Sequence, residues 1–275
     1  MNVLLIYGYD DTDESTKNDR TRNIYSNQSG SCIGYWNREH VFAKSLANPS
    51  LVTNQPGPGT DIHNLRSADC QMNSTRNNRL FVSGSGNSGT SGSYFYPGDE
   101  FKGDVARIIM YMYLRYPSQC EPLNIGVGSS SYSQNGDIPD LFLDWNDQDP
   151  VSEFELNRND VIYSYQGNRN PFIDNPYLAT LIWNGPITTD SWGVLSNTEI
   201  TTKNLTVFPT ITSDYLYISG IINEQYSVQI FNQLGQALEV EISNNRIDVS
   251  DFSSGVYILK FEQANQVQQT KFFIR

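Results

Sequence analysis

The composition of this chain changes near residue 190, and that change limits the folds open to it more than any other feature of the sequence. Every tryptophan, histidine and cysteine lies at or before Trp192, and residues 196–204 form a polar stretch typical of a linker. A chain of 275 residues is also longer than a single compact domain usually is. We therefore predict two domains, at 1–190 and 205–275, joined by a linker at 191–204.

Short β-rich runs follow one another beyond the linker, separated by glycine, asparagine and serine at intervals of roughly 8–12 residues. The runs are residues 206–209, 215–218, 226–231, 247–249 and 256–261. Several of them alternate apolar with polar side chains, which is the pattern of a strand with one buried face. This region is predicted to be a small all-β sandwich.

The first domain mixes helical and irregular patterns. Residues 104–116 carry apolar side chains at helical spacing and stop before Pro117, which predicts a buried helix. Residues 140–159 predict further helix with a break near Pro150, and the glycine- and serine-rich stretch 83–93 predicts a flexible loop. The predicted class is therefore α+β, mainly helical with a small β element.

The sequence argues against several common kinds of site. The three cysteines, Cys32, Cys70 and Cys120, lack the C-x-x-C spacing of a zinc site. Two alternatives remain open for them: one disulfide with a leftover thiol, or three reduced and buried thiols. The acidic stretch 10–19 lacks the glycine and the terminal glutamate of an EF-hand, so a solvated loop is the preferred interpretation. No stretch approaches the roughly 20 apolar residues of a membrane span.

The two histidines of the chain, His40 and His63, both lie within its one clearly basic segment, residues 15–80. The chain as a whole is acidic, with a net charge of −12, which argues against a protein that grips nucleic acid over its whole surface. A local basic cleft on an acidic body suits an enzyme that must release a polyanionic product.

The residue types around His40 match the needs of phosphodiester hydrolysis. That reaction needs a base for water, a cation near the phosphate, and donors that hold the backbone. His40 has a near-neutral intrinsic pKa and suits the base. Glu39 and Asn73 are oxygen ligands for one divalent ion, with Mg²⁺ expected and Ca²⁺ or Mn²⁺ as alternatives. If residues 70–81 are helical, Asn73, Arg76 and Asn77 share one face at positions i, i+3 and i+4.

Each of these residues also has a structural interpretation. Glu39 is able to pair with Arg38 or Arg66, and Asn73 is able to cap a helix. Adjacent residues of a strand face opposite sides of a sheet, so Glu39 and His40 reach one site together only at a bulge or a strand end.

At these residues the chain resembles the endonuclease I family of secreted, non-specific DNA and RNA endonucleases, which belongs to the His-Me finger (ββα-metal) group. The resemblance is carried by residues 37–45, 59–68, 72–78, 102–107 and 166–174. It implies that His40 is the general base, that Glu39 and Asn73 hold one divalent metal, and that cleavage leaves 5′-phosphate and 3′-hydroxyl ends. It also implies a His-Me finger fold for the first domain.

The candidates for binding substrate phosphate are Arg66 and Arg76, with Arg79 ranked below them. His63 has two interpretations: it touches substrate, or it is a structural histidine that hydrogen-bonds a loop. The polar stretch 166–174 is interpreted as a structural network that closes the domain rather than as part of a catalytic site.

The C-terminal region resembles the type A sorting domain of the type IX secretion system, which the Bacteroidetes use for export. The resemblance is carried by residues 207–210, 228–235, 251–259 and 271–275. It implies export by that machinery and a secreted or cell-surface protein, which we expect to be a monomer. Residues 1–7 do not resemble a signal peptide; an incomplete gene start is our interpretation, and a cytoplasmic product is the alternative.

The leading functional prediction is a secreted, metal-dependent, sequence-nonspecific endonuclease that acts on DNA and RNA. The alternative is a surface-attached binding or adhesion protein on a catalytically degenerate nuclease scaffold. The presence of Glu39, His40 and Asn73 counts against that alternative.

Overall fold

The computed structural model describes residues 1–27, 32–193, 206–219, 226–243, 245–263 and 266–275. The chain forms two compact units, Met1–Leu195 and Ser196–Arg275. Most of the linker predicted at 191–204 lies outside the described residues. Within the described ranges, no helix has the length and hydropathy of a membrane span.

The N-terminal unit is α+β. Its strands form three antiparallel pairs: β1 (Asn2–Leu4) with β2 (Thr21–Asn23), β3 (Trp36–His40) with β4 (Leu65–Asp69), and β5 (Gly89–Ser91) with β6 (Tyr94–Tyr96). Its helices are α1 (Cys70–Arg76), α2 (Lys102–Arg115), α3 (Asp140–Gln148), α4 (Glu153–Gln166), α5 (Pro171–Asp174) and α6 (Tyr177–Trp183). The described part of the unit is therefore mainly helical, as the sequence predicts.

The core of this unit forms around α2, which is buried from Gly103 to Met112. It packs against α3, which lies just before the predicted break at Pro150. The next helix, α4, begins with a capping box, in which Ser152 and Glu155 satisfy each other's backbone N–H groups. Burial of the apolar side chains of α2 forms the core against which the other elements of the unit pack.

Two local predictions differ from the structure. The helix considered at 70–81 ends at Arg76, because Asn77 takes a positive φ of 49° that interrupts the helix. Asn77 therefore does not share a helical face with Asn73 and Arg76. The stretch 83–93 is not a loop throughout, since residues 89–91 form β5 and pair with β6. Gly92, with φ of 59°, supplies the left-handed backbone that this tight hairpin turn requires.

A disulfide joins Cys32 to Cys70, and Cys120 is a buried free thiol. The first of the two alternatives left open by the sequence is therefore the one that the structure adopts. The bond ties the segment before β3 to the first residue of α1. Asp69 caps the same helix end by accepting a hydrogen bond from the backbone N–H of Met72 at 2.8 Å.

The C-terminal unit is β-rich, as predicted. Its strands are β7 (Thr206–Phe208), β8 (Ile211–Thr212), β9 (Tyr215–Ser219), β10 (Tyr226–Phe231), β11 (Ala237–Leu238), β12 (Ile242–Ser243), β13 (Arg246–Asp248), β14 (Gly255–Gln263) and β15 (Gln266–Ile274). They form a five-stranded sheet, β11-β10-β14-β15-β8, and a four-stranded sheet, β12-β13-β9-β7. Side chains from both sheets, including Leu216 and Leu259, share one buried core.

Candidate active site

A cleft of about 770 Å³ opens in the N-terminal unit beside the end of β3 and the C-terminal half of α1. Glu39, His40 and Asn73, the three residues predicted to carry the chemistry, all line it. Arg76 lines it as well. The strand pair β3–β4 leads directly into α1, so residues distant in sequence meet at this point.

The strand geometry allows Glu39 and His40 to share the cleft. The pairing of β3 with β4 is regular from Trp36 opposite Asp69 to His40 opposite Leu65, with no bulge. His40 is the last residue of the strand. Of the two arrangements that the sequence required, a bulge or a strand end, the structure contains the strand end.

Glu39 lies almost fully buried at the base of the cleft, with 3% of its surface exposed. Its Oε1 accepts a hydrogen bond from the Tyr7 hydroxyl at 3.1 Å and lies 3.2 Å from Nη1 of Arg76. Burial raises the pKa of Glu39 to about 7, although the Arg76 charge and the Tyr7 hydrogen bond oppose that shift. A nearby cation would favour the ionised carboxylate.

Among the described residues, the His40 ring has one hydrogen-bond partner, a backbone carbonyl group. Its Nε2 lies 2.9 Å from the carbonyl oxygen of Gly59. Because a carbonyl can only accept a hydrogen bond, Nε2 must carry the proton, and Nδ1 is then the basic nitrogen of the neutral ring. Partial burial lowers the pKa of His40 below its ordinary value, so the neutral form dominates at neutral pH.

Asn73 is oriented through its amide nitrogen. Nδ2 donates to Oδ1 of Asn37 at 2.8 Å and to the backbone carbonyl of Arg38 at 3.3 Å. Both bonds use the donor end of the amide, so the acceptor end, Oδ1, is the group that Asn73 can offer to a cation. Asn37 also lines the cleft.

Arg76 is a fully buried part of the site rather than an exposed cation. Its guanidinium pairs with Glu39 and donates to the carbonyl oxygens of His40 at 3.2 Å and Val41 at 2.8 Å. It also stacks over the Phe81 ring, 4.7 Å from the ring centroid. These contacts hold the end of β3 in place, so the structure gives Arg76 a role in positioning Glu39 and His40.

The structure does not bring the other predicted phosphate ligands into the cleft. Arg66 is buried and its Nη1 pairs with Oδ2 of Asp104 at 2.5 Å. Arg66 alternates in direction with its strand neighbours, and Leu65, not Arg66, lines the cleft. The Arg79 guanidinium folds back on the carbonyl oxygen of Thr75, within its own chain segment.

His63 is also outside the cleft. It is fully buried, its ring Nε2 lies 3.2 Å from the carbonyl oxygen of Asn168, and the ring packs against Tyr111. Burial lowers the pKa of His63 below its ordinary value. Of the two interpretations that the sequence left open, this environment matches the structural histidine that hydrogen-bonds a loop.

Arg38 and Lys44 also line the cleft. Neither of these cations was predicted from the sequence to be a phosphate ligand. Both side chains are exposed, and the described residues show no ion pair for either. The sequence shows that Arg38 and Lys44 lie close to Glu39 and His40 and that their segment is basic. Sequence alone could not separate them from Arg66, because strand direction and burial decide which cations face the cleft.

The donor set suits one hard divalent cation. Among the described residues, no group of three or more histidine, cysteine, aspartate or glutamate side chains is placed to hold a metal. One carboxylate and one amide oxygen lining the same cleft are nevertheless the kind of ligand set that serves Mg²⁺, which keeps most of its waters. The cleft offers few ligands to metal ions that prefer nitrogen or sulfur, since its lining contains one histidine and no cysteine.

Comparison with known proteins finds a matching family model for a large part of each unit. The family model described as Endonuclease I matches residues 1–177, and the model described as Secretion system C-terminal sorting domain matches residues 206–275. The chain is 42% identical over 193 residues to two proteins named Extracellular ribonuclease, from Bacillus subtilis (strain 168) and Bacillus amyloliquefaciens.

The matched region is 66% of this chain in both comparisons and 62% and 61% of the two relatives, so the chain spans less than two thirds of their length. The sorting domain and the extracellular relatives together support a place outside the cell or at its surface. The family match covers more than half of the chain and includes every residue of the cleft. The chain belongs to the endonuclease I family and ends in a type IX secretion sorting domain.

Proposed function

We propose that this protein is a secreted, metal-dependent and sequence-nonspecific endonuclease that hydrolyses phosphodiester bonds of RNA and DNA. The observation that carries the proposal is the hydrogen bond from His40 to the Gly59 carbonyl, which leaves Nδ1 as a base in the same cleft as Glu39 and Asn73. Membership of the endonuclease I family and the named ribonuclease activity of the relatives support it.

In this proposal, Nδ1 of His40 takes a proton from a water molecule as the water oxygen attacks phosphorus. The bond between phosphorus and the 3′ oxygen breaks, which leaves a 5′-phosphate on one fragment. The 3′ oxygen takes a proton from solvent to become a hydroxyl. A divalent cation, when bound, would neutralise the charge that develops on the phosphate and on the leaving oxygen.

Glu39 and Asn73 would hold that cation, with Mg²⁺ as the expected ion. Arg76 and Tyr7 keep Glu39 in place, and Asn37 keeps the amide of Asn73 in place. The strand pair β3–β4 followed by α1 is the β-β-α order of a His-Me finger, and we propose that arrangement for the site.

Arg38 and Lys44 replace Arg66 and Arg79 as the proposed phosphate-binding cations, because they are exposed and line the cleft. Contacts to phosphate carry no sequence information, so binding of this kind predicts cleavage without strong sequence preference. Residues 205–275 are proposed to engage the type IX secretion machinery, with the protein as a monomer.

The test is cleavage of plasmid DNA and total RNA by the purified full chain, with Mg²⁺ and with EDTA. His40→Ala should abolish cleavage in folded protein, and EDTA should do the same for the wild type. Tyr113→Phe is the control, since it changes a side chain that does not line the cleft and hydrogen-bonds Asp137, and it should keep activity. Absence of cleavage by folded, Mg²⁺-loaded wild type would instead favour the binding or adhesion alternative.

A further inference from the structure

A second cluster of polar groups is centred on the buried side chain of Asp61, which is 3% exposed and does not line the cleft. Its carboxylate collects donors from three separate parts of the chain. Oδ1 accepts from the backbone N–H of His63 at 3.0 Å and from Nε2 of Gln166 at 2.8 Å. Oδ2 accepts from the hydroxyls of Tyr111 and Tyr116, each at 2.8 Å.

Nε of Arg115 completes the set at 3.3 Å from Oδ2. Tyr111 and Arg115 belong to α2, Tyr116 follows that helix directly, and Gln166 is the last residue of α4. A buried carboxylate with this many donors is fixed in position, because moving it would leave several buried polar groups unpaired. Asp61 thus anchors its own loop to two helices.

That loop carries the carbonyl group that orients His40. Gly59 lies two residues before Asp61, and its carbonyl oxygen accepts the Nε2–H of His40. The intervening Thr60 is held as well: its hydroxyl accepts from the backbone N–H of Gly57 at 3.0 Å and donates to the carbonyl of Gln55 at 3.1 Å. Little conformational freedom remains between the anchor and the carbonyl.

The backbone position of Gly59 is also restricted by a neighbouring segment of the chain. A Cβ atom at this position would lie 2.0 Å from the carbonyl oxygen of Val52, so the backbone segments approach as closely as a glycine permits. The Gly59 carbonyl is therefore confined by Val52 on one side and by the Asp61 anchor along the chain.

We propose that Asp61, with its donors Tyr111 and Tyr116, is a positioning residue for His40, acting through the Gly59 carbonyl to select the ring form in which Nδ1 is unprotonated. This inference rests on the proposed function for its catalytic meaning. The structural link from Asp61 through Gly59 to the His40 ring can be tested whether or not the protein is an active nuclease.

The experiment uses the full chain with Asp61→Asn and, as a milder change, Tyr116→Phe. In Asp61→Asn one oxygen becomes an amide donor that cannot accept from its present partners. The matched control is Tyr113→Phe, which removes a similar hydrogen bond from the same helix, that of the Tyr113 hydroxyl to Oδ2 of Asp137 at 2.9 Å, away from the Asp61 network.

Two readouts are compared. The first is kcat and KM for RNA cleavage with Mg²⁺, where Asp61→Asn should lower kcat by roughly tenfold to a hundredfold, the range for misplaced catalytic groups, and leave KM nearly unchanged. The second is the imidazole ¹⁵N shifts of His40, which should move from a pure Nε2–H form toward a mixture. The chain has two histidines, so the spectrum is readily assigned with the His40→Ala variant.

Tyr116→Phe should show the same changes to a smaller extent, and it carries the test if Asp61→Asn does not fold. The proposal is overturned if the His40 shifts stay those of the wild type in a folded variant, or if Tyr113→Phe lowers kcat as much as the Asp61 change does. If the wild type proves inactive, the proposed function fails while the ¹⁵N shifts still decide whether Asp61 positions the ring.

Discussion

Asn37 orients the amide of Asn73: Nδ2 of Asn73, on α1, donates a hydrogen bond to Oδ1 of Asn37, on β3, at 2.8 Å. The contact assigns the two ends of the Asn73 amide, with the nitrogen facing protein and the oxygen left for a ligand. A helix residue and a strand residue therefore define the proposed cation site together.

Replacing Asn37 should weaken metal binding although Asn37 is not itself a proposed ligand. Asn37→Ala removes the acceptor that fixes the Asn73 amide, and loss of such a supporting contact typically costs about 10- to 100-fold in metal affinity. Calorimetric titration with Mn²⁺ measures the effect. Asn78→Ala is the control, since Asn78 lines the same cleft but its amide donates to Ser45. Equal affinities in Asn37→Ala and wild type would contradict the assignment.

Metal affinity should depend on pH through Glu39, whose pKa is raised to about 7 by burial. Below that pH the carboxyl group is protonated in the ion-free protein, and a cation must displace the proton in order to bind. Affinity for Mn²⁺ should therefore fall by about tenfold for each pH unit below about 7 and level off above it. Titrations across this window test the sign, and Glu39→Gln should show weak binding without that slope. A flat profile for the wild type would count against Glu39 as a ligand.

Arg38 and Lys44 should govern the salt dependence of substrate binding. Each contact between a cation and a phosphate adds roughly 0.7–0.9 to the slope of log affinity against log salt concentration. Arg38→Ala and Lys44→Ala should each reduce that slope by about this amount, as measured with inactive His40→Ala protein and labelled RNA. Lys271→Ala, an exposed lysine of the C-terminal unit, is the control and should leave the slope unchanged. Unchanged slopes in both cleft variants would exclude these two residues as phosphate ligands.

The Cys32–Cys70 disulfide should stabilise the N-terminal unit chiefly by restricting the unfolded chain, since it closes a loop with a sequence separation of 38 residues. Its reduction should lower the free energy of unfolding by about 2–4 kcal/mol. Urea unfolding with and without reductant measures the loss. The double variant Cys32→Ser/Cys70→Ser should show the lower stability in both conditions, and a further loss on adding reductant would point to another cause.

Periodicity and composition were sufficient for the coarse architecture. The helix at 104–116, the break near Pro150 and the β-rich C-terminal unit were all visible as local patterns and are present in the structure. The end of α1 was not, because it depends on the positive φ of Asn77, a conformation that no periodic pattern predicts. The strand β5 within 83–93 was not visible in the sequence for a related reason, since serine and glycine give a weak strand signal.

The sequence by itself determined which residue types the site would contain: a histidine, a glutamate and an asparagine in short motifs typical of the endonuclease I family. Only the tertiary structure decided which cations face the cleft, because Arg66 and Arg38 lie on one strand pair and differ in burial rather than in chemistry. The structure likewise decided that Arg76 supports Glu39 and that Gly59 orients His40. These outcomes depend on side-chain direction and on desolvation, which arise only when distant segments pack together.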